Sequence, residues 1–188
     1  MKRPGVENLM GAAKVKRVTT AWHEAGHIVM GMHFGFRLTE ASITPRHTDE
    51  GTFWGRTEWA PIGGTLDAMP VICIALAGGI AEEKWSGISG RWHGDDFAKI
   101  WALAWLHLAR TETFTPHASL LIRLTAAYRH QPEKVPAKVR ALADEMITEA
   151  TPETRRILNE HWSQVGLVAG LLLKHRVVTP ELIGIPSL

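Results

Sequence analysis

His23, Glu24 and His27 are the residues whose types and spacing best fit chemistry. On an α-helix, positions four apart share a face, so His23 and His27 offer two imidazole nitrogens to one metal ion. Glu24 stands about 100° round the helix from His23. Its carboxylate can reach a water on that ion without being a ligand itself. Such a trio deprotonates water and aims hydroxide at an electrophile.

The order H-E-x-x-H is the pattern of zinc peptidases, provided that it lies on a helix. Val18, Ala21, Trp22, Ala25, Ile28, Val29 and Met32 recur at helical spacing, and Thr19 and Thr20 supply capping hydroxyls. A helix over about 20–33 is expected, stopping near Gly31 or Gly35. The bland alternative is a core helix whose histidines are satisfied by hydrogen bonds.

Two histidines leave a tetrahedral zinc one protein ligand short, with the last position kept for water. His33 follows His27 by six residues, the metzincin spacing, but that pattern needs glycine where Met30 stands. A continuing helix would also turn His33 about 120° away from His27. Glu82 and Glu83 end an apolar segment and suit a carboxylate on a second helix; they suit solvent or inward hydrogen bonds as well. Asp95 and Asp96 lie where a glycine-containing loop becomes a helix. There a short carboxylate can reach a site on another helix, and it can equally cap its own. Asp96 as ligand with Asp95 as cap is preferred; the exchanged roles are the alternative.

The elements that must position these residues are mainly helical. Residues 1–16, with Lys2, Arg3, Lys14 and Lys16, read as a flexible, solvated lead-in, and 17–188 as a single domain. Residues 41–44 and 51–57 are rich in β-formers and flank a polar stretch, Pro45 to Glu50, so one small β-hairpin after the motif helix is expected. Helices are expected at about 66–85, ending at Gly87, and at 96–110. Thr115-Pro116, Thr151-Pro152 and Thr179-Pro180 each place a hydroxyl before a proline, predicting helix starts for 116–130, 152–174 and 180–184. A further helix is expected at 134–149. Trp101 and Trp105 fall on an apolar stripe and read as core.

The chain has 188 residues, 45% hydrophobic and 21% charged, with a net charge of +2. That charge is too small to argue for nucleic acid. Cys73 is the only cysteine, which excludes an intramolecular disulfide and a CxxC zinc site. The apolar run Met69 to Ala81 is about half of what a membrane span needs, and no apolar stretch precedes Val18 to make a secretory signal. No membrane association and a cytoplasmic location are expected.

Several segments together resemble the peptidase domain of FtsH-type, ATP-dependent zinc proteases, over about residues 17 to 180. These are Arg17-Val18-Thr19-Thr20-Ala21-Trp22-His23-Glu24-Ala25-Gly26-His27, then Ala41-Ser42-Ile43-Thr44-Pro45-Arg46, then Ala77-Gly78-Gly79-Ile80-Ala81-Glu82-Glu83. Asp96-Phe97 followed by Leu103-Ala104 is similar to the segment bearing that family's third ligand, and Leu171-Leu172-Leu173-Lys174 to its closing helix. The resemblance implies a mainly α, helical zinc metallopeptidase fold, with Zn2+ on His23, His27 and Asp96 and Glu24 as general base. It implies a hydrolase, a zinc metalloendopeptidase acting on peptides or unfolded protein. Where the family has Ala and Thr four and five residues after its aspartate, this chain has Ile100 and Trp101.

No GxxxxGK[ST] phosphate loop occurs, so cleavage is expected to be ATP-independent. A homo-oligomeric ring or a separate unfoldase is the partner that the resemblance suggests. Substrate is expected to lie as an added strand along the 41–57 hairpin, on Thr52, Phe53, Trp54 and Gly55, with Trp54 and Trp59 lining a groove. The rival class is a non-catalytic interaction protein stabilised by its metal.

Overall fold

The computed structural model describes residues 12–48, 51–60, 67–88, 94–109 and 118–184. It is mainly helical. The order is α1 (Ala12–His33), β1 (Leu38–Ser42), β2 (Arg46–Thr48), β3 (Gly51–Phe53), β4 (Arg56–Trp59), α2 (Ala68–Ser86) and α3 (Gly94–Leu108). Then come α4 (Ala118–His130), a 3-10 turn (Pro132–Lys134), α5 (Ala137–Glu160), α6 (Trp162–His175), β5 (Val177–Val178) and α7 (Pro180–Ile183).

α2 is the axis of the core. Every residue from Ile72 to Glu82 is buried, as a helix apolar on all sides requires. Its stop at Gly87 is as expected, with Gly87 at φ 71° in the left-handed region that glycine tolerates, and its start is set by Asp67, which accepts from the Met69 amide. α1 and α5 pack on α2, α6 packs on α1, and α3 packs on α4 and α5. The α1–α2 approach is close because the facing residues are small. A Cβ on Gly26 would stand 2.8 Å from that of Ala81 and collide with the backbone of Ala77.

α1 is longer than expected. It begins at Ala12 rather than near Thr20, so residues 12–16 of the expected lead-in are helical, and 1–11 lie outside the described residues. Thr19 and Thr20 are not caps. Both hydroxyls donate back to the Lys16 carbonyl, at 2.9 and 2.8 Å, which satisfies them inside a helix.

The hairpin is nested. β1 pairs antiparallel with β4 in the outer ladder, and β2 with β3 in the inner one, so Arg46–Thr48 is strand where a turn was expected. β5 adds to the free side of β1, giving the order β4-β1-β5.

α5 corrects a second boundary. Pro152 does not start a helix; it lies inside one that runs from Ala137 to Glu160. An interior proline costs roughly 3 kcal/mol, but Ala150 before it and Thr154, Ile157 and Leu158 after it are buried, and that packing outweighs the cost. The break falls at His161 instead. Thr179 precedes α7 as expected, without a side-chain cap bond. Thr115 and Pro116 lie outside the described residues. Among those described, no helix is long and apolar enough to cross a membrane.

Candidate metal centre

His23 and His27 lie one turn apart on the buried face of α1, each about 5% exposed. Their Nε2 atoms are 3.0 Å apart. Asp96, in the first turn of α3 and as deeply buried, brings Oδ2 to 3.2 Å from Nε2 of His23 and Oδ1 to 3.6 Å from Nε2 of His27. The three form a group whose ligand atoms lie close enough together to hold one metal ion.

The face of α2 turned to them is spaced by fours. Ile74 O lies 2.6 Å from His27 Nδ1, and Glu82 Oε2 lies 3.6 Å from His23 Nδ1. Between them, Gly78 has no Cβ where one would come within 2.5 Å of His27 Nε2 and 2.6 Å of His23 Nε2. A carbonyl only accepts, so Nδ1 of His27 is the donor there. When the ring is neutral, as metal binding requires, its lone pair is on Nε2. Glu82 is thus an outer carboxylate behind His23, not a member of the three-residue cluster. Glu83 turns away to pair with Arg155 at 2.9 Å.

Burial works to lower the pKa of His23, but hydrogen bonds to Asp96 and Glu82 outweigh it and raise it to about 9. Burial works to raise that of Asp96; the Lys99 ammonium, 3.1 Å from Oδ1, and the two histidines hold it well below the ordinary carboxylate range. These directions are those of an imidazolium paired with a carboxylate.

Glu24 is buried beside the cluster and accepts from the Thr57 hydroxyl on β4, with Oγ1 2.7 Å from its Oε2. Gly55, in the β3–β4 connection, presses on its other oxygen: a Cβ there would collide with Oε1. Of the residues expected to bind substrate, Gly55 therefore lies at Glu24. Thr52 instead faces His47, with Oγ1 to Nδ1 at 3.0 Å, Phe53 lies under the Arg129 guanidinium, and Trp54 is 6.0 Å from the Lys16 ammonium. Trp59 packs on Gly31 and edge-on to Phe36.

His33 is exposed and points to His161, with ring nitrogens 3.3 Å apart, well away from the cluster. Asp95 is not a cap. It sits within the first turn of α3 and pairs with Arg129 at 2.6 Å. Sequence reasoning missed Thr57, Lys99 and the close approach at Gly78. Of these only Gly78 left a signal, because a glycine pair inside an apolar helix costs stability and needs a packing reason.

The chain is similar to two rice proteins (Oryza sativa subsp. japonica). One is the ATP-dependent zinc metalloprotease FTSH 8, mitochondrial: 26% identical over 180 residues, covering 88% of this chain and 21% of the relative. The other is the ATP-dependent zinc metalloprotease FTSH 3, mitochondrial: 25% identical over 180 residues, covering 88% of this chain and 22% of the relative. No family model matches. The chain spans about a fifth of the length of these relatives, and its similarity to FtsH-type zinc metalloproteases is distant.

Proposed function

We propose that this chain is a zinc-dependent endopeptidase that needs no ATP for the cleavage step. The observation that carries the reading is the convergence of His23, His27 and Asp96, from segments about 70 residues apart, with Glu24 buried alongside. The donor set suits zinc: two imidazole nitrogens and one carboxylate, with the other ring nitrogens directed at Ile74 O and Glu82. The bare face of Gly78 leaves both Nε2 atoms room. The similarity to proteins named zinc metalloproteases favours the same ion.

When bound, zinc lowers the pKa of its water to about 7 and polarises a carbonyl. Glu24 takes the proton that water loses as its oxygen adds to the carbonyl carbon. As the C–N bond breaks, Glu24 returns that proton to the leaving amine. Asp96 stays ionised, because Lys99 and the histidines hold its pKa down. Peptide or unfolded protein fits as an added strand, since β4 is the outer strand in the order β4-β1-β5 and carries Thr57, which contacts Glu24.

The test is Glu24→Gln assayed on an unfolded protein with and without chelator. The variant keeps its zinc and loses roughly 10²- to 10⁴-fold in turnover. Unimpaired cleavage by Glu24→Gln would refute the proposal. A wild type that binds zinc and cleaves nothing would favour the metal-stabilised interaction protein.

A further inference from the structure

Thr57 belongs to no motif, yet it touches the group proposed to move the proton. Its place in the fold is firm. β4 pairs Thr57 with Ala41 of β1, and Ala41, fully buried, pairs in turn with Val178 of β5. The hydroxyl is thus carried by the cross-section of a three-stranded ladder. Two residues earlier the backbone at Gly55 closes on the same carboxylate. A Cβ there would collide with Oε1, stand 2.6 Å from Cγ2 of Thr20 and 2.9 Å from Cδ of Glu24.

A carboxylate has two oxygens, and a donor fixed on one decides which the other partner meets. Here the donor is on Oε2 and the close backbone is at Oε1. Rotation about the last Glu24 torsion would swing the carboxylate plane out of this arrangement, and the Thr57 bond opposes it. Ordinary glutamates at a surface have no such restraint.

We infer that Thr57 is a positioning residue: its hydroxyl holds Oε2 of Glu24 so that Oε1 is the oxygen offered to water, with Gly55 keeping that side free of a side chain. The consequence for turnover rests on the peptidase reading above; the restraint on Glu24 does not. A base held in one orientation reacts faster than one that must be caught in it, because the ordering is done before the chemistry begins.

Thr57→Val keeps the shape of threonine and removes the donor; Thr57→Ser keeps the donor. In the zinc-loaded protein, Thr57→Val should lower kcat by about 10- to 100-fold with KM and zinc content unchanged, the usual range for an outer partner of a catalytic group. Thr57→Ser should recover to within about threefold of wild type. The carboxyl carbon resonance of Glu24, recognised as the one missing from Glu24→Gln, should move in Thr57→Val and stay in Thr57→Ser. Gly55→Ala approaches from the other side and should lower kcat and move the same resonance. The inference is overturned if Thr57→Val leaves kcat and the resonance in place, or if Thr57→Ser falls as far as Thr57→Val, which would make strand packing the cause. If the wild type cleaves no peptide, the resonance decides alone: movement in Thr57→Val supports the restraint while the peptidase reading fails, and no movement overturns the inference.

Discussion

A neutral imidazole has one lone pair to give, and at His27 the fold decides which nitrogen gives it: Nδ1 is committed to the Ile74 carbonyl, so Nε2 faces inward. His23 adds a proton to the account. Without metal, its pKa of about 9 keeps it charged at neutral pH, next to an ionised Asp96. Zinc needs the neutral ring, so uptake must expel that proton. Zinc affinity is therefore expected to rise about tenfold per pH unit from 7 towards 9 and to level off above. Competition titrations at three pH values check this; a flat profile contradicts it.

The same groups set the stability of the metal-free fold. The raised pKa of His23 contributes stability that is complete below its ordinary 6.5 and lost as pH climbs through 9. The lowered pKa of Asp96 contributes stability present above its ordinary 3.8 and lost as pH falls through the folded value. For these two groups together, the metal-free protein is most stable between about pH 4 and 6.5. Chemical denaturation of metal-free protein across that range should show the maximum, and a stability that keeps rising to pH 9 would contradict the pairing.

Helices explain why His23, His27 and Asp96 meet, and α2 does most of the positioning. Ile74, Gly78 and Glu82 present one face to α1 at intervals of four, and the middle position must be glycine. Gly78→Ala is expected to abolish zinc binding while leaving the fold intact, because the added methyl meets the tips of two side chains rather than backbone. Gly26→Ala should instead destabilise the fold, since its methyl meets the Ala77 carbonyl. Zinc content and a thermal melt on both variants separate the two effects. Pro152→Ala restores an interior helical residue and should stabilise by about 1–3 kcal/mol, read by denaturant titration.

These elements also show what the sequence could disclose. The stop of α2 was legible because a glycine is a local signal; so was the helical spacing of His23 and His27. The start of α1 was not, because Thr19 and Thr20 satisfy themselves equally well inside a helix. Pro152 was misplaced for a similar reason: its local preference is overruled by residues buried on either side of it. β5 is two residues long and pairs with a strand more than 130 positions earlier, so nothing near it announces a strand. Asp96 could be ranked above its neighbour by position, but Thr57, Lys99 and Ile74 O come to the centre only through tertiary packing.

At the scale of the whole molecule, the cluster ties a segment near residue 25 to one near residue 96. An ion bound by the folded chain alone stabilises it by mass action, about 4 kcal/mol when present at a thousand times its dissociation constant. For a chain of this size that corresponds to roughly 10 °C in melting temperature. Removing zinc with a chelator should lower the melt by that order, and restoring zinc should reverse the change. The chain spans about a fifth of the length of the ATP-dependent zinc metalloproteases it is similar to. The zinc content of the purified protein and of its His27, Asp96 and Glu24 variants tests the metal site directly. About one zinc per chain is predicted in the wild type and in Glu24→Gln, and essentially none in His27→Ala or Asp96→Ala. A wild type that takes up no zinc, or an Asp96→Ala variant that holds it undiminished, would contradict the account.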